Sequence, residues 1–149
     1  WGPVIYPELD ANKTLGQVLL EPTRIYVEPI VKLLKQYKVK KVISGMAHIT
    51  GGGIAGNLCR SLCDSVDATI YLDRWETPSV FGFLQHHGNI ETQEMYRVFN
   101  MGIGYVLAVR PSFADSIAAH LTQSGENPIV IGEVTRGSGK VHIEGMKSS

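Results

Sequence analysis

Across 149 residues, 14 basic and 14 acidic side chains cancel. No run of like charge stands out, so the composition speaks against a nucleic-acid or anionic-membrane partner. The length suits one domain with a substantial core, and the short, interrupted apolar runs fall well below the roughly 20 residues needed to span a bilayer.

The N-terminus lacks the charged-then-apolar profile of a signal peptide, so the expected location is the cytoplasm. The opening Trp-Gly-Pro-Val-Ile-Tyr-Pro has two prolines, no period and no initiating Met. It reads as a segment entering from something upstream, and the chain is expected to be a fragment of a longer protein. Residues 14–20 suit a short helix and 21–27 an extended arm, since the residue before a proline is pushed out of the α region. Pro29 suits the first turn of a helix through Tyr37, with Ile30, Leu33, Leu34 and Tyr37 on one face and Lys32, Lys35 and Gln36 outward.

Residues 41–49 read as a buried strand that empties into His-Ile-Thr-Gly-Gly-Gly at 48–53, and a helix is expected over 54–63. Glycines lack Cβ, so a backbone at Gly51, Gly52 and Gly53 can take positive φ and approach a ligand closely. Free N–H groups opening the next helix would then point at an anion. Alternatively the glycines only relieve crowding in a tight turn. The spacing fits neither the P-loop nor the dinucleotide fingerprint. Cys59 and Cys63 are expected on one helix face as reduced thiols packed like small hydrophobes, because a disulfide within a regular helix has poor geometry and no zinc spacing accompanies them.

A β-rich stretch follows at 68–73, then a helix from Thr77-Pro78 to His86 that Gly88 stops, and another helix over 91–99 with Met95 and Phe99 one turn apart. Residues 103–109 form an apolar strand long enough to be covered on both faces. Ser-Phe-Ala-Asp at 112–115 resembles a capping box, opening a helix with the stripe Phe113, Ile117 and Leu121 that Gly125 ends. Strands at 129–134 and 141–144 are joined by a Gly-containing polar stretch that reads as a hairpin loop. The result is an α+β domain, a mixed sheet covered by helices.

His48 sits where strand meets glycine loop, and its imidazole could donate to a phosphate oxygen, relay a proton, or serve only as a structural hydrogen-bonder. Thr50 offers a hydroxyl to the same space. Asn57 and Arg60, three apart, could face one side, with Arg60 reaching a phosphate or merely solvated. Asn100, Gly102 and Gly104 suggest a backbone that something approaches closely. Glu94 and Arg97 suit a surface pair, and His86 and His87 suit a helix C-terminus. No nucleophile triad, paired-carboxylate pattern or magnesium-binding Asp cluster is legible, and no residue is assigned to a metal.

Four strings, in order and spacing, carry a resemblance: Leu-Glu-Pro-Thr-Arg-Ile-Tyr-Val at 20–27, Ala-His-Ile-Thr-Gly-Gly-Gly at 47–53, Asn57 with Arg60, and Glu-Met-Tyr-Arg-x-Phe-Asn-x-Gly-Ile-Gly at 94–104. Together they resemble the C-terminal domain of aminoimidazole ribonucleotide synthetase, also called phosphoribosylformylglycinamidine cyclo-ligase, over residues 15–144. The resemblance implies purine biosynthesis. ATP would phosphorylate the formamide oxygen of formylglycinamidine ribonucleotide, an amidine nitrogen would attack, and phosphate would leave as the ring closes. It implies that a separate N-terminal domain holds most of the ATP and Mg2+ site and the homodimer core, while an α/β layered C-terminal domain closes the substrate cleft.

Residues 1–14 would then enter from that domain, 15–146 would be the C-terminal synthetase domain, and 147–149 a tail. Carried over by position, Thr50, Gly51, Gly52 and Gly53 would hold the ribonucleotide phosphate, with Asn57 and Arg60 beside them. His48 would line the same pocket as a catalytic group, and Asn100 and Gly102 would form a second wall. Where the family usually has Glu-Asn-x-Pro-Arg, this chain has Gly56, Asn57, Leu58, Cys59 and Arg60, and Met101 replaces a usual Cys, which argues against a thiol task there. The alternatives are a related ATP-dependent synthetase of the superfamily, such as formylglycinamidine ribonucleotide synthase or selenophosphate synthetase, or a non-catalytic module that binds a phosphorylated ligand or an assembly partner.

Overall fold

The computed structural model describes residues 2–39 and 41–146, so Trp1 and the expected tail at 147–149 lie outside it. Near the start, Leu15 N–H donates to Val4 O at 2.8 Å and Gly16 N–H to Gly2 O at 2.9 Å, tying the leading segment to α1 (Leu15–Leu19). Thr14 caps that helix reciprocally with Gln17, satisfying two donors that would otherwise be orphaned. After an arm without regular structure comes α2 (Val27–Gln36), whose Pro29 and Leu33 are buried.

Strand β1 (Ile43–His48) leads into α3 (Gly53–Leu58), which tightens to a 3-10 turn at Cys59–Ser61. Then come β2 (Val66–Tyr71), α4 (Ser79–Gly88), α5 (Thr92–Val98) and β3 (Tyr105–Val109). The chain closes with α6 (Ala114–Gln123), β4 (Gly132–Arg136) and β5 (Val141–Glu144). The α+β class holds, with the strands divided between two sheets. β1 pairs antiparallel with β3, and β2 lies between β4, antiparallel to it, and β5, parallel to it.

Register decides what each sheet face touches. Across the β1–β3 ladder His48 faces Tyr105, Ala47 faces Val106 and Met46 faces Leu107, and side chains alternate between faces. Ala47 and Val106 join Ile49, Ile54, Leu58, Ala68 and Ile70 in one core against α3 and the three-stranded sheet. Ile43, Leu107 and Val109 pack on the other face against Leu33, Val42, Ile117 and Leu121, beneath α2 and α6.

Several expectations are corrected. The segment 135–140 is not a hairpin loop, because β4 and β5 do not pair with each other and β2 lies between them. The Asp67 carboxylate accepts the N–H groups of Ser138 (2.7 Å) and Lys140 (2.8 Å), and Gly137 and Gly139 donate to Ser65 O and Val66 O, wrapping the loop around the start of β2. Such a long-range acceptor leaves no trace in local turn chemistry. The helix after the glycines ends at Leu58, and both Cys59 and Cys63 are exposed free thiols instead of packed ones. Ser112 makes no cap: Pro111 opens a 3-10 turn over Pro111–Phe113, and Ser116 Oγ donates to Phe113 O instead. Gly88 is the last residue of α4, and Asn89 takes the left-handed position at φ 48°. The strands at 41–49 and 103–109 are shorter and less covered than expected, with Ser44, Met46 and His48 of β1 exposed.

Candidate functional site

The glycine loop starts where β1 ends. Ile49 is buried and its N–H donates to Gly104 O at 2.9 Å, which anchors the strand end against the start of β3. Beyond it the chain turns through Gly52 at φ 101° and Gly53 at φ 62°, conformations that L side chains adopt only with strain. A Cβ on Gly53 would lie 2.0 Å from Tyr96 O, so this glycine lets α3 sit directly on α5. Gly51 has neither constraint: its φ is not positive and a Cβ there would meet nothing within 4 Å.

Asn57 organises the loop from beneath. It is buried, and its amide nitrogen donates to the carbonyls of Thr50 (3.3 Å), Gly51 (3.2 Å) and Gly53 (2.8 Å). Gathering three carbonyls on one side leaves the N–H groups of Gly51 and Gly52 without an acceptor among the described residues, while Gly53 N–H is spent on Thr50 O. Thr50, Gly51 and Gly52 are exposed. A short loop with free donors and no side chain over Gly51 can accept an anion at its backbone.

The other candidates divide. Arg60 is exposed in the 3-10 turn, whereas Asn57 is buried, so the two do not present one common side. His48 is exposed and leaves the loop for an aromatic group, its ring 6.0 Å from the Tyr105 ring in a stacked arrangement and 5.8 Å from the Tyr26 ring edge-on. These three residues line a groove of about 490 Å³ with Thr23, Arg24, Ile25 and aliphatic residues of α2. Thr50 and the three glycines do not line that groove.

Asn100 closes a tight turn in which its side-chain oxygen accepts Gly102 N–H at 3.0 Å and its backbone oxygen accepts Ile103 N–H at 3.0 Å. Gly102 stands at φ 97°, with Pro78 where its Cβ would go, and Trp75 Nε1 donates to Met101 O at 2.9 Å. Gly104 is constrained too, since a Cβ would lie 2.0 Å from the Tyr26 hydroxyl.

Electrostatics here are local. Glu94 and Arg97 form a bidentate pair at 2.6 and 2.5 Å that lowers the carboxyl and raises the guanidinium, so Arg97 is committed to its own helix. The hydroxyl of Ser65, 3.2 Å from Cys63 Sγ, holds that thiol below its usual value. Asp67 is held at about 2 by the N–H groups of Ser138 and Lys140, then by His142. Among the described residues no three His, Cys, Asp or Glu side chains form a group that could hold a metal ion. Nor is any of their helices long and apolar enough to cross a membrane.

Tyr26 and Tyr105 escaped the sequence reading as site residues. The signal available was the Tyr in the 20–27 string, read there only as part of an extended arm, and the register that sets Tyr105 opposite His48 becomes visible only once β1 and β3 pair.

Residues 6–144 match the family model for the AIR synthase related protein, C-terminal domain, and the chain belongs to that family. Phosphoribosylformylglycinamidine cyclo-ligase from Alkaliphilus metalliredigens (strain QYMF) is 45% identical over 130 residues, covering 87% of this chain and 36% of the relative. The protein of the same name from Chromobacterium violaceum is 46% identical over 140 residues, covering 91% of this chain and 39% of the relative. That from Bacillus velezensis is 47% identical over 127 residues, with 85% and 36% covered. The chain thus spans well under half the length of these curated relatives.

Proposed function

We propose that this chain is the substrate-closing C-terminal domain of an ATP-dependent cyclo-ligase of purine biosynthesis, which converts formylglycinamidine ribonucleotide to aminoimidazole ribonucleotide with release of ADP and phosphate. The observation that carries the site assignment is the loop itself: Asn57 holds three carbonyls, and the N–H groups of the exposed Gly51 and Gly52 find no acceptor among the described residues. Charge-assisted hydrogen bonds to phosphate oxygens are the strong ones, and a residue without Cβ lets the oxygens come close. Thr50 would add its hydroxyl and Arg60, exposed and unpaired among the described residues, a guanidinium. Asn57 acts through the loop rather than on the ligand. Asn100 and Gly102 would form the second wall, and His48, whose ring turns from the loop into the Tyr26–Tyr105 groove, would handle protons from there.

ATP, with Mg2+, supplies phosphoryl activation of the formamide oxygen. Both are assigned to an amino-terminal portion, which also carries the homodimer contact. The test is titration of the chain with inorganic phosphate and with formylglycinamidine ribonucleotide, following backbone amide shifts by NMR. Shifts concentrated at residues 50–53 are expected. Their absence at millimolar ligand, both in the chain and in the full-length polypeptide, would reduce the loop to a turn.

A further inference from the structure

His48 handles protons in the proposed reaction, yet no hydrogen bond among the described residues orients its ring. An imidazole often owes its direction to a carboxylate or carbonyl bonded to one nitrogen. Here the direction comes from two aromatic rings. Tyr105 lies opposite His48 in the β1–β3 ladder, so both side chains leave the same face of the sheet. Their rings are stacked at 27° with centroids 6.0 Å apart. Tyr26 meets His48 edge-on, at 5.8 Å and 67°, and its ring stands 5.4 Å from that of Tyr105. The three rings close a triangle, and every side falls in the range of roughly 4.5–7 Å over which aromatic pairs attract.

Gly104 seats that triangle. Tyr26 precedes α2, where its side chain makes no capping hydrogen bond. Its ring lies instead over the start of β3, where a Cβ on Gly104 would collide with the Tyr26 hydroxyl and Cζ. The φ of Gly104 is not positive, so what this glycine provides is room. The close approach that the sequence suggests at Gly104 is therefore made by a side chain of the same chain. Neither tyrosine belongs to either hydrophobic core, so core packing does not account for two large rings at this strand end. Ring contacts restrict the imidazole while leaving both of its nitrogens without a partner among the described residues, and His48 is exposed to the groove.

We propose that Tyr26 and Tyr105, with Tyr26 seated over Gly104, are positioning residues that hold the His48 imidazole in one orientation toward the groove. The consequence for turnover rests on the reading of His48 as the proton-handling group, whereas the orientation itself does not.

The His48 rotamer is read from three-bond NMR couplings in the 149-residue chain, with His48→Gln assigning the signals, and turnover is measured in the full-length polypeptide. One χ1 rotamer is expected in the unsubstituted chain and in Tyr105→Phe, which keeps the ring, and averaging over the staggered wells in Tyr105→Leu. Gly104→Ala displaces Tyr26 while leaving every ring present; it should produce the same averaging and decides the matter if Tyr105→Leu does not fold. In the full-length polypeptide Tyr105→Leu should lower kcat about tenfold with KM changed by less than about twofold, and Tyr105→Phe should rescue kcat. A single His48 rotamer that survives in both Tyr105→Leu and Gly104→Ala overturns the proposal, as does averaging in the unsubstituted chain. So does an unchanged kcat in Tyr105→Leu when His48→Gln is inactive. A loss in Tyr105→Phe as large as in Tyr105→Leu also overturns it, by making the hydroxyl a reacting group. Unchanged turnover in His48→Gln would refute the proton-handling reading of His48 and leave the orientation standing.

Discussion

Asn57→Ala tests whether one buried amide holds the glycine loop. Two amide hydrogens serve three carbonyls, at 2.8, 3.2 and 3.3 Å, so about two full hydrogen bonds are lost at roughly 1 kcal/mol net each. Alanine recovers about 0.5 kcal/mol of helix propensity, while deletion of a side chain only 8% exposed adds a cavity term of similar size. The expected loss is about 2 kcal/mol, which for a domain of this size lowers the melting temperature by about 4–8 °C. Urea denaturation followed by circular dichroism reads it directly. Asn57→Asp is nearly isosteric but turns a carboxylate toward three carbonyl oxygens, so it should cost more than alanine, above about 3 kcal/mol. If Asp is tolerated as well as Ala, or Ala costs below about 0.5 kcal/mol, the clamp does not exist and the outward N–H groups have no such cause.

Gly53→Ala must take φ 62° and put a methyl 2.0 Å from Tyr96 O, so a loss of more than about 3 kcal/mol is expected; a chemical-denaturation loss below about 1 would refute the close packing of α3 on α5. Gly51→Asp should change stability by no more than about 0.5 kcal/mol yet abolish the amide shifts caused by phosphate, and persistence of those shifts would remove the loop as the anion site. Gly52→Asp is the poorer probe, because φ 101° strains any side chain whatever the ligand does. Asp67, held at about 2 against 3.8 for an ordinary carboxyl, stabilises the fold above about pH 4, and that stabilisation is lost as pH falls through about 2. The Asp67→Asn variant should therefore show a flatter decline in urea midpoint across that window, and parallel declines would mean that the loop at 137–140 does not depend on the carboxylate.

Local pattern carried much of the fold. The stripe of Phe113, Ile117 and Leu121, the helix beginning around Pro29 and the strand feeding the glycines all follow from period and punctuation, and each stands in the structure. What stayed hidden depends on partners distant in sequence. The polar stretch at 135–140 has hairpin composition, but Asp67, 71 residues from Ser138 and 73 from Lys140, diverts it around β2. Met46 belongs to the strand read as buried, yet it is 39% exposed, because nothing in the local pattern says which face of a strand finds a covering layer. Cys63 followed the usual burial of free thiols until the helix broke early at Leu58 and left it outside.

The three adjacent glycines read as one motif in the sequence, and the structure separates them into three constraints. Gly53 is fixed by the Tyr96 carbonyl, so helix packing alone would retain it. Gly52 is fixed by its backbone dihedral, so turn geometry alone would retain it. Neither therefore speaks for a ligand. Gly51 is held by neither space nor φ, and the choice between an anion loop and a tight turn narrows to that single residue. A turn needs glycine at two of the three positions. The proposed phosphate, approaching the backbone, would account for the third.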